Sequence, residues 1–184
     1  QLLALQRQHP ALHLTLSLDD RIADLVSEGV DVALRLSAEP PQSHAARLLM
    51  RIETALFAAP GFQAVHSVSE LAAHPHVRFS GIPRDAPLRL IAGEETIDVK
   101  VHTVFRANTS DALLQALESG IGIGGMQLPL AAKALQAGTL VPVLPAWRLP
   151  DRYLYAVYPD ARFIPQRVRS VIQVIEQILP TLAK

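Results

Sequence analysis

The sequence contains no cysteine. That removes disulfides, thiolate nucleophiles and cysteine-rich metal centres, and it suits a reducing compartment, so a cytoplasmic location is expected. An excess of one charge is missing too: 17 Lys and Arg balance 17 Asp and Glu. No overall field therefore draws this chain to nucleic acid or to an anionic membrane. Aromatic residues make up only 5% of the chain, with one Trp. The arginines are dispersed and lack the aromatic platform that single-stranded nucleic acid needs, and Trp147 reads as a packing anchor. Nowhere do 18 apolar residues follow one another, so no helical membrane span is predicted. A Gly-x-Ser-x-Gly elbow for a nucleophilic serine is also absent. Nothing in this inventory calls for catalysis or a cofactor.

Apolar residues, by contrast, supply 49% of the 184 positions, enough to pack one large domain or two small lobes. The opening QLLALQRQHPAL reads as the end of an amphipathic helix whose beginning lies upstream. It has neither the basic start nor the long apolar core of a secretion signal. Leu12, Leu14, Leu16 and Leu18 then alternate with polar residues, the period-2 signature of a strand with one buried face. Asp19 or Asp20 can cap a following helix that carries Ile22, Leu25 and Val26 at helical spacing and stops at Gly29. Val30 to Leu36 reads as a second strand, and a helical crossover predicts that the two strands lie parallel.

Pro40-Pro41 marks a loop, and residues 47–59 read as extended structure leading to Pro60-Gly61. Ser67 to Leu71 suggests a short helix start, and Val77 to Ser80 a strand. LRLIAG and TIDVKV around Gly93-Glu94-Glu95 give the clearest antiparallel hairpin signal. From residue 103 the opening plan returns as a strand (TVFRA), a capped helix (NTSDALLQALES) and a short apolar strand (GIGIGGM). Two such units around an antiparallel section predict an α/β fold of two related lobes. LVPVL and YLYAVY are two further strands, and Val168, Val171, Ile172, Ile175 and Leu179 form the apolar stripe of a closing helix from Pro165.

Four cap-competent residues, Asn108, Thr109, Ser110 and Asp111, precede an apolar helical run. They make an ordinary helix start, and one whose free N–H groups and hydroxyls also suit a small carboxylate or polar ligand. Asp111 would oppose a highly charged anion. Residues 120–125 fit Gly-x-Gly-x-x-Gly, but the run follows a helix rather than opening one, and no acid stands in residues 141–149. Close packing of a buried strand, with Gly120 as helix stop, explains them better than a nucleotide site. His74-Pro75-His76 is the one close histidine pair; lacking a third ligand at metal-like spacing, it is read as a surface loop, and no metal site is expected. Helix capping accounts for Asp19-Asp20.

Three segments together resemble the effector-binding domain of LysR-type transcriptional regulators. They are LHLTLSLDDRIADLVSEGVDVALRLS near the start, ANTSDALLQALESGIGIGG in the second half, and LVPVLPAWRLPDRYLYAVYP leading to PQRVRSVIQVIEQIL. The resemblance covers almost the whole chain in matching order and spacing. It implies two α/β lobes of the type-2 periplasmic-binding-protein plan with mixed sheets. Lobe I would comprise residues 1–52 and 155–184 and lobe II residues 53–154, with crossings near Ile52 to Glu53 and Tyr155 to Val157. A small effector would lie between the lobes, facing Asp19, Asp20, Leu36, Ser37, Asn108, Thr109 and Ser110, with Gly125 and Met126 beside them.

Family domains begin with a strand and a Ser/Thr-bearing turn that this sequence lacks, so the domain is read as N-terminally truncated. Where relatives often read Gly-Leu-Gly-Ile-Ala-Leu-Leu-Pro, this chain has Gly120 to Gln127 in a different wording. The resemblance further implies a homodimer or homotetramer, pairing residues 1–18 of one copy with 110–126 of another. DNA would be contacted only through a winged helix-turn-helix outside this chain. Two rivals share the lobed plan: a transport solute-binding protein, and an enzyme such as the deaminase that builds linear tetrapyrroles. The latter attaches its cofactor through cysteine, which is absent here.

Overall fold

The computed structural model describes residues 2–18, 24–41, 45–160 and 164–182. It divides into two units: residues 1–52 with 152–184, and residues 53–151. In chain order the elements are α1 (Leu2–Gln8), β1 (Ala33–Ser37), β2 (Ala45–Ala58), a 3-10 helix (Val68–Ala73), β3 (Pro75–Phe79), β4 (Leu88–Ala92), β5 (Glu95–Val99) and β6 (His102–Ala107). There follow α2 (Ser110–Glu118), β7 (Ile123–Gln127), α3 (Leu128–Ala137), β8 (Val141–Val143), β9 (Leu149–Tyr158) and α4 (Gln166–Leu182).

In the first unit, β1 pairs antiparallel with β9 from Ala33↔Val157 to Ser37↔Tyr153. Successive strand side chains point to opposite faces, so β9 serves two cores. Ala156 and Tyr158 pack with Val168, Ile172, Ile175 and Leu179 of α4. Tyr155 and Val157 pack with Leu25 on the other side. The predicted apolar stripe of the last helix is therefore the face that α4 buries.

One expectation fails here. Residues 12–18 form no strand, and their alternation fades along the segment: Leu12 and Leu14 are half-buried, whereas Leu16 is 61% and Leu18 95% exposed. A strand needs a neighbour to take its backbone hydrogen bonds, and among the described residues this segment has none. The predicted parallel pairing of this segment with residues 30–36 is consequently not formed. Asp19 and Asp20 lie outside the described residues.

In the second unit, β7 pairs antiparallel with β2 and parallel with β3, β3 pairs parallel with β6, and β8 pairs with β2. The strand, helix and strand read from residue 103 thus form as a parallel crossover, with β3 lying between β6 and β7. One face buries Phe57, Val77, Leu113, Leu117 and Met126 under α2 and α3. The other buries Leu56, Leu71, Leu90, Ile123 and Leu149, where the β4–β5 hairpin packs and Trp147 leans on the core. The hairpin register runs from Leu88↔Val99 to Ala92↔Glu95 with Gly93 at φ 59 in its turn, as the sequence pattern predicts.

Ser67 precedes the 3-10 helix, and Glu70 three residues on accepts the His66 N–H at 3.0 Å and the Ser67 hydroxyl at 2.9 Å. Those two bonds hold the Glu70 carboxyl below its ordinary value. Helix α3 was not anticipated. Pro129 suits its first turn and Gly138, at φ 68, its end, but the run between is short and follows a strand directly, with no side-chain cap bond from Gln127.

The glycine run is explained by close approach. A Cβ on Gly122 would stand 2.4 Å from the Pro75 carbonyl oxygen, and one on Gly124 2.6 Å from that of Val77. Gly120 ends α2 at φ 72. The histidine pair requires a correction: it lies in no surface loop. His74 and His76 are buried at the entry to β3, and the His76 Nε2 lies 2.9 Å from the Leu71 carbonyl oxygen. Val77 and Phe79 pack on the core and the segment pairs with β6 and β7, which overrides its polar look.

Candidate functional site

Because β3, β6 and β7 are parallel, their carboxyl ends, Phe79, Ala107 and Gln127, share one edge of the second unit. Ligands of open α/β sheets sit outside such edges, where loops and helix starts gather. Helix α2 begins there, directly after β6. Thr109 has the extended backbone of an N-cap (φ −125, ψ 143), and its hydroxyl accepts the Ala112 N–H at 3.4 Å, a long bond. Asn108 and Thr109 are exposed and Ser110 is half-buried. The side chains of Asn108 and Ser110 make no hydrogen bond among the described residues. Asp111 in the first turn favours the helix dipole.

The remaining predicted residues are placed unequally. Gly125 and Met126 lie on β7, separated from β6 by β3, and Met126 is only 1% exposed within the core. Leu36 and Ser37 end β1 in the other unit, Leu36 exposed at 42% and the Ser37 hydroxyl turned to the Glu39 carbonyl oxygen at 2.5 Å. The structure therefore brings Asn108, Thr109 and Ser110 together at one helix start and sets Gly125 and Met126 two strands away.

Other residues of this edge escaped the sequence reading. Ser80 donates its N–H to the Ala107 carbonyl at 2.8 Å, joining the turn after β3 to the end of β6. Arg106 donates from Nη2 to the carbonyls of Ser80 at 2.7 Å and Ile82 at 2.5 Å. Its register partner Arg78 donates to the carbonyls of Ala86 at 2.7 Å and Pro87 at 3.4 Å. Burial first, and then the Arg106 charge, lower Arg78 from the ordinary arginine value. Thr54, opposite Gln127, keeps a buried hydroxyl with no partner among the described residues. Arg106 stands only two positions before Asn108, and that spacing was the one available signal. No group of three or more His, Asp or Glu residues suited to a metal occurs among the described residues.

The comparisons agree with this architecture. The family described as the LysR substrate binding domain matches residues 1–180, and the chain belongs to that family. It is 27% identical over 188 residues to the probable HTH-type transcriptional regulator LtrA of Klebsiella pneumoniae, covering 98% of this chain and 61% of that protein. Its fold resembles full-length AphB, a virulence activator of Vibrio cholerae, with a TM-score of 0.79 at 24% identity over 96% of this chain and 61% of that one. The regulatory domain of CrgA, a LysR-type transcriptional regulator of Neisseria meningitidis, gives a TM-score of 0.79 at 21% identity, covering 96% of this chain and 88% of that domain.

The fold is thus the two-lobe, periplasmic-binding-protein-like α/β fold of such regulatory domains, and the chain is the effector-binding domain of a LysR-type regulator rather than an enzyme. It spans about three-fifths of the length of the relative named above.

Proposed function

We propose that this domain senses a small carboxylate or polar metabolite, supports a homodimer or homotetramer, and alters DNA engagement by a winged helix-turn-helix domain outside this chain, in the cytoplasm. The observation that carries the reading is the start of α2. Exposed Asn108 and Thr109, and side chains of Asn108 and Ser110 that have no hydrogen-bond partner among the described residues, stand at the carboxyl ends of the parallel strands β3, β6 and β7.

A ligand that prefers one arrangement of the lobes shifts the population toward it, and an oligomer can pass that shift to DNA-binding helices. The names of the relatives support a regulator over a transport solute-binding protein. Among the described residues no helix is long and apolar enough to cross a membrane.

A thermal-shift screen of metabolites on the parent protein identifies the ligand, since binding to the native state raises the melting temperature. Thr109→Val is then expected to weaken that ligand about tenfold, the scale of one hydrogen bond to a charged group. Folding should be nearly unchanged, because the cap bond it removes is long. Unchanged affinity by calorimetry rejects the site; light scattering that finds only monomer at high concentration rejects the oligomer.

A further inference from the structure

Where β2 begins and the neighbouring β9 ends, beside α4, the first unit holds a cavity of about 430 Å³. That volume falls within the roughly 300–1,000 Å³ of small-molecule sites. Ala45, Ala46 and Ile164 give it an apolar side, and Arg47, Tyr158, Arg169 and Gln173 supply the polar groups. Every one of these residues belongs to the first unit, so nothing here depends on the start of α2.

Charge around the cavity is unevenly compensated. Arg47 pairs with Glu176 at 2.6 Å, and Arg167, two positions before Arg169, pairs with Asp31 at 3.0 Å. Arg169 has no acidic partner among the described residues. Its Nε donates to the Ile164 carbonyl at 3.1 Å, which orients the guanidinium and leaves both Nη groups without an acceptor among those residues. Tyr158 is only 5% exposed, yet its hydroxyl also has no hydrogen-bond partner among them, a condition that buried polar groups rarely keep. Burial, the leading cause, raises that hydroxyl above the ordinary tyrosine value, with Arg47 acting against it and Glu176 with it. At pH 7 it is therefore a donor.

The geometry points to a binding site for a compact organic carboxylate, whose oxygens accept from the Arg169 Nη fork and the Tyr158 hydroxyl and whose hydrocarbon body lies against Ala45, Ala46 and Ile164. A planar guanidinium fork matches a carboxylate. Because Arg47 and Glu176 cancel, one uncompensated guanidinium sets the sign of the ligand and balances a single negative charge. That favours a monocarboxylate over a phosphate ester.

Butyrate and its neutral counterpart butyramide, titrated at constant ionic strength and pH 7 into the 184-residue protein, separate charge from shape. Amide chemical shifts report the outcome. Butyrate is expected to shift Ala45 to Arg47, Tyr158, Ile164 and Gln173 along one saturating curve, and butyramide to leave them in place. Arg169→Gln should weaken butyrate about tenfold or more, as loss of a charge-assisted hydrogen bond predicts. Tyr158→Phe, which keeps the ring and removes the hydroxyl, should weaken it at least about threefold.

Equal responses to butyrate and butyramide overturn the inference, as does Arg169→Gln binding butyrate within about twofold of the parent. If Tyr158→Phe loses its folded spectrum, Arg169→Gln decides. If Arg169→Gln does, Arg169→Lys decides: it should keep the preference for butyrate at reduced affinity, and loss of that preference overturns the inference. Butyrate shifts confined to Thr109 to Asp111 also overturn it while supporting the reading of α2, whereas shifts confined to the cavity residues uphold it and leave α2 without support.

Discussion

Replacing Gly122 by alanine tests whether the glycine run exists for close approach between strands. A Cβ at this position would lie 2.4 Å from the Pro75 carbonyl oxygen, 2.9 Å from its carbonyl carbon and 3.3 Å from the His76 nitrogen. All three are backbone atoms of the segment that β7 pairs with at His76↔Ile123, so no side-chain rotation relieves the contact. To restore ordinary contact the oxygen must recede by about 1 Å.

Overpacking a closed interior costs roughly 1–3 kcal/mol, and a strand backbone with buried neighbours puts this case near the upper end. Alanine recovers about 0.5–1 kcal/mol by restricting the unfolded chain, which leaves a net loss near 2 kcal/mol. For a unit of about a hundred residues, that lowers the melting temperature by roughly 10 °C. Circular dichroism melting of Gly122→Ala beside Gly125→Ala and Gly138→Ala is the assay. The Gly125 clash is with a single side-chain carbon, Leu149 Cδ1 at 2.3 Å, and everything else is 3.8 Å away, so a leucine rotation eases it. Gly138 has open space and φ +68, leaving only about 1 kcal/mol of left-handed strain. If Gly122→Ala melts within about 2 °C of the parent, or is milder than Gly125→Ala, backbone approach does not explain the run.

His76 should make the protein sensitive to acid. Burial, the leading cause, lowers its pKa below 6.5, while an unfolded His76 titrates near the ordinary value. The unfolded state therefore binds the extra proton, so this contribution is full above pH 6.5 and is lost as the pH falls through the depressed value. Urea titrations from pH 7.5 to 5 should show a slope up to ~1.4 kcal/mol per pH unit steeper than in His76→Leu; parallel slopes reject the idea. Leu117→Ala, at a fully buried position of the α2 core, should cost about 2–5 kcal/mol in urea unfolding, and a loss under about 1 kcal/mol would show that the core collapses around the gap. The Arg89–Asp98 pair is bidentate at 2.8 and 2.7 Å but exposed, so Arg89→Ala should change stability little and salt should blur the difference further; a large, salt-independent loss would contradict this.

Much of the second unit was legible because its signals are local. Gly93 in a two-residue turn, Thr109 as a cap and Gly120 as a stop each act within a few residues, and all three stand where the pattern put them. The first unit was harder to read because pairing is not local. Leu12 to Leu18 carry a strand's alternation, yet alternation supplies no partner for the backbone, and the segment stays unpaired among the described residues. His74 and His76 misled for a related reason: polarity predicts exposure, but the Leu71 carbonyl satisfies the buried His76 ring. At the candidate site the helix start was visible. The Arg106 clasp on Ser80 and Ile82 was not, because its partners lie 24 and 26 residues away and are backbone atoms that carry no residue signature.

The two-sided burial of β9 carries a consequence for insertions and deletions. Ala156 and Tyr158 belong to the α4 layer, Tyr155 and Val157 to the Leu25 layer. Deleting one residue upstream within this strand would exchange the two sets, driving tyrosine and valine under α4 and alanine toward Leu25. Neither layer could be repaired separately, since each would hold side chains sized for the other. Point changes in β9 should thus be tolerated or rejected one layer at a time, while a single-residue shift should dissolve both together.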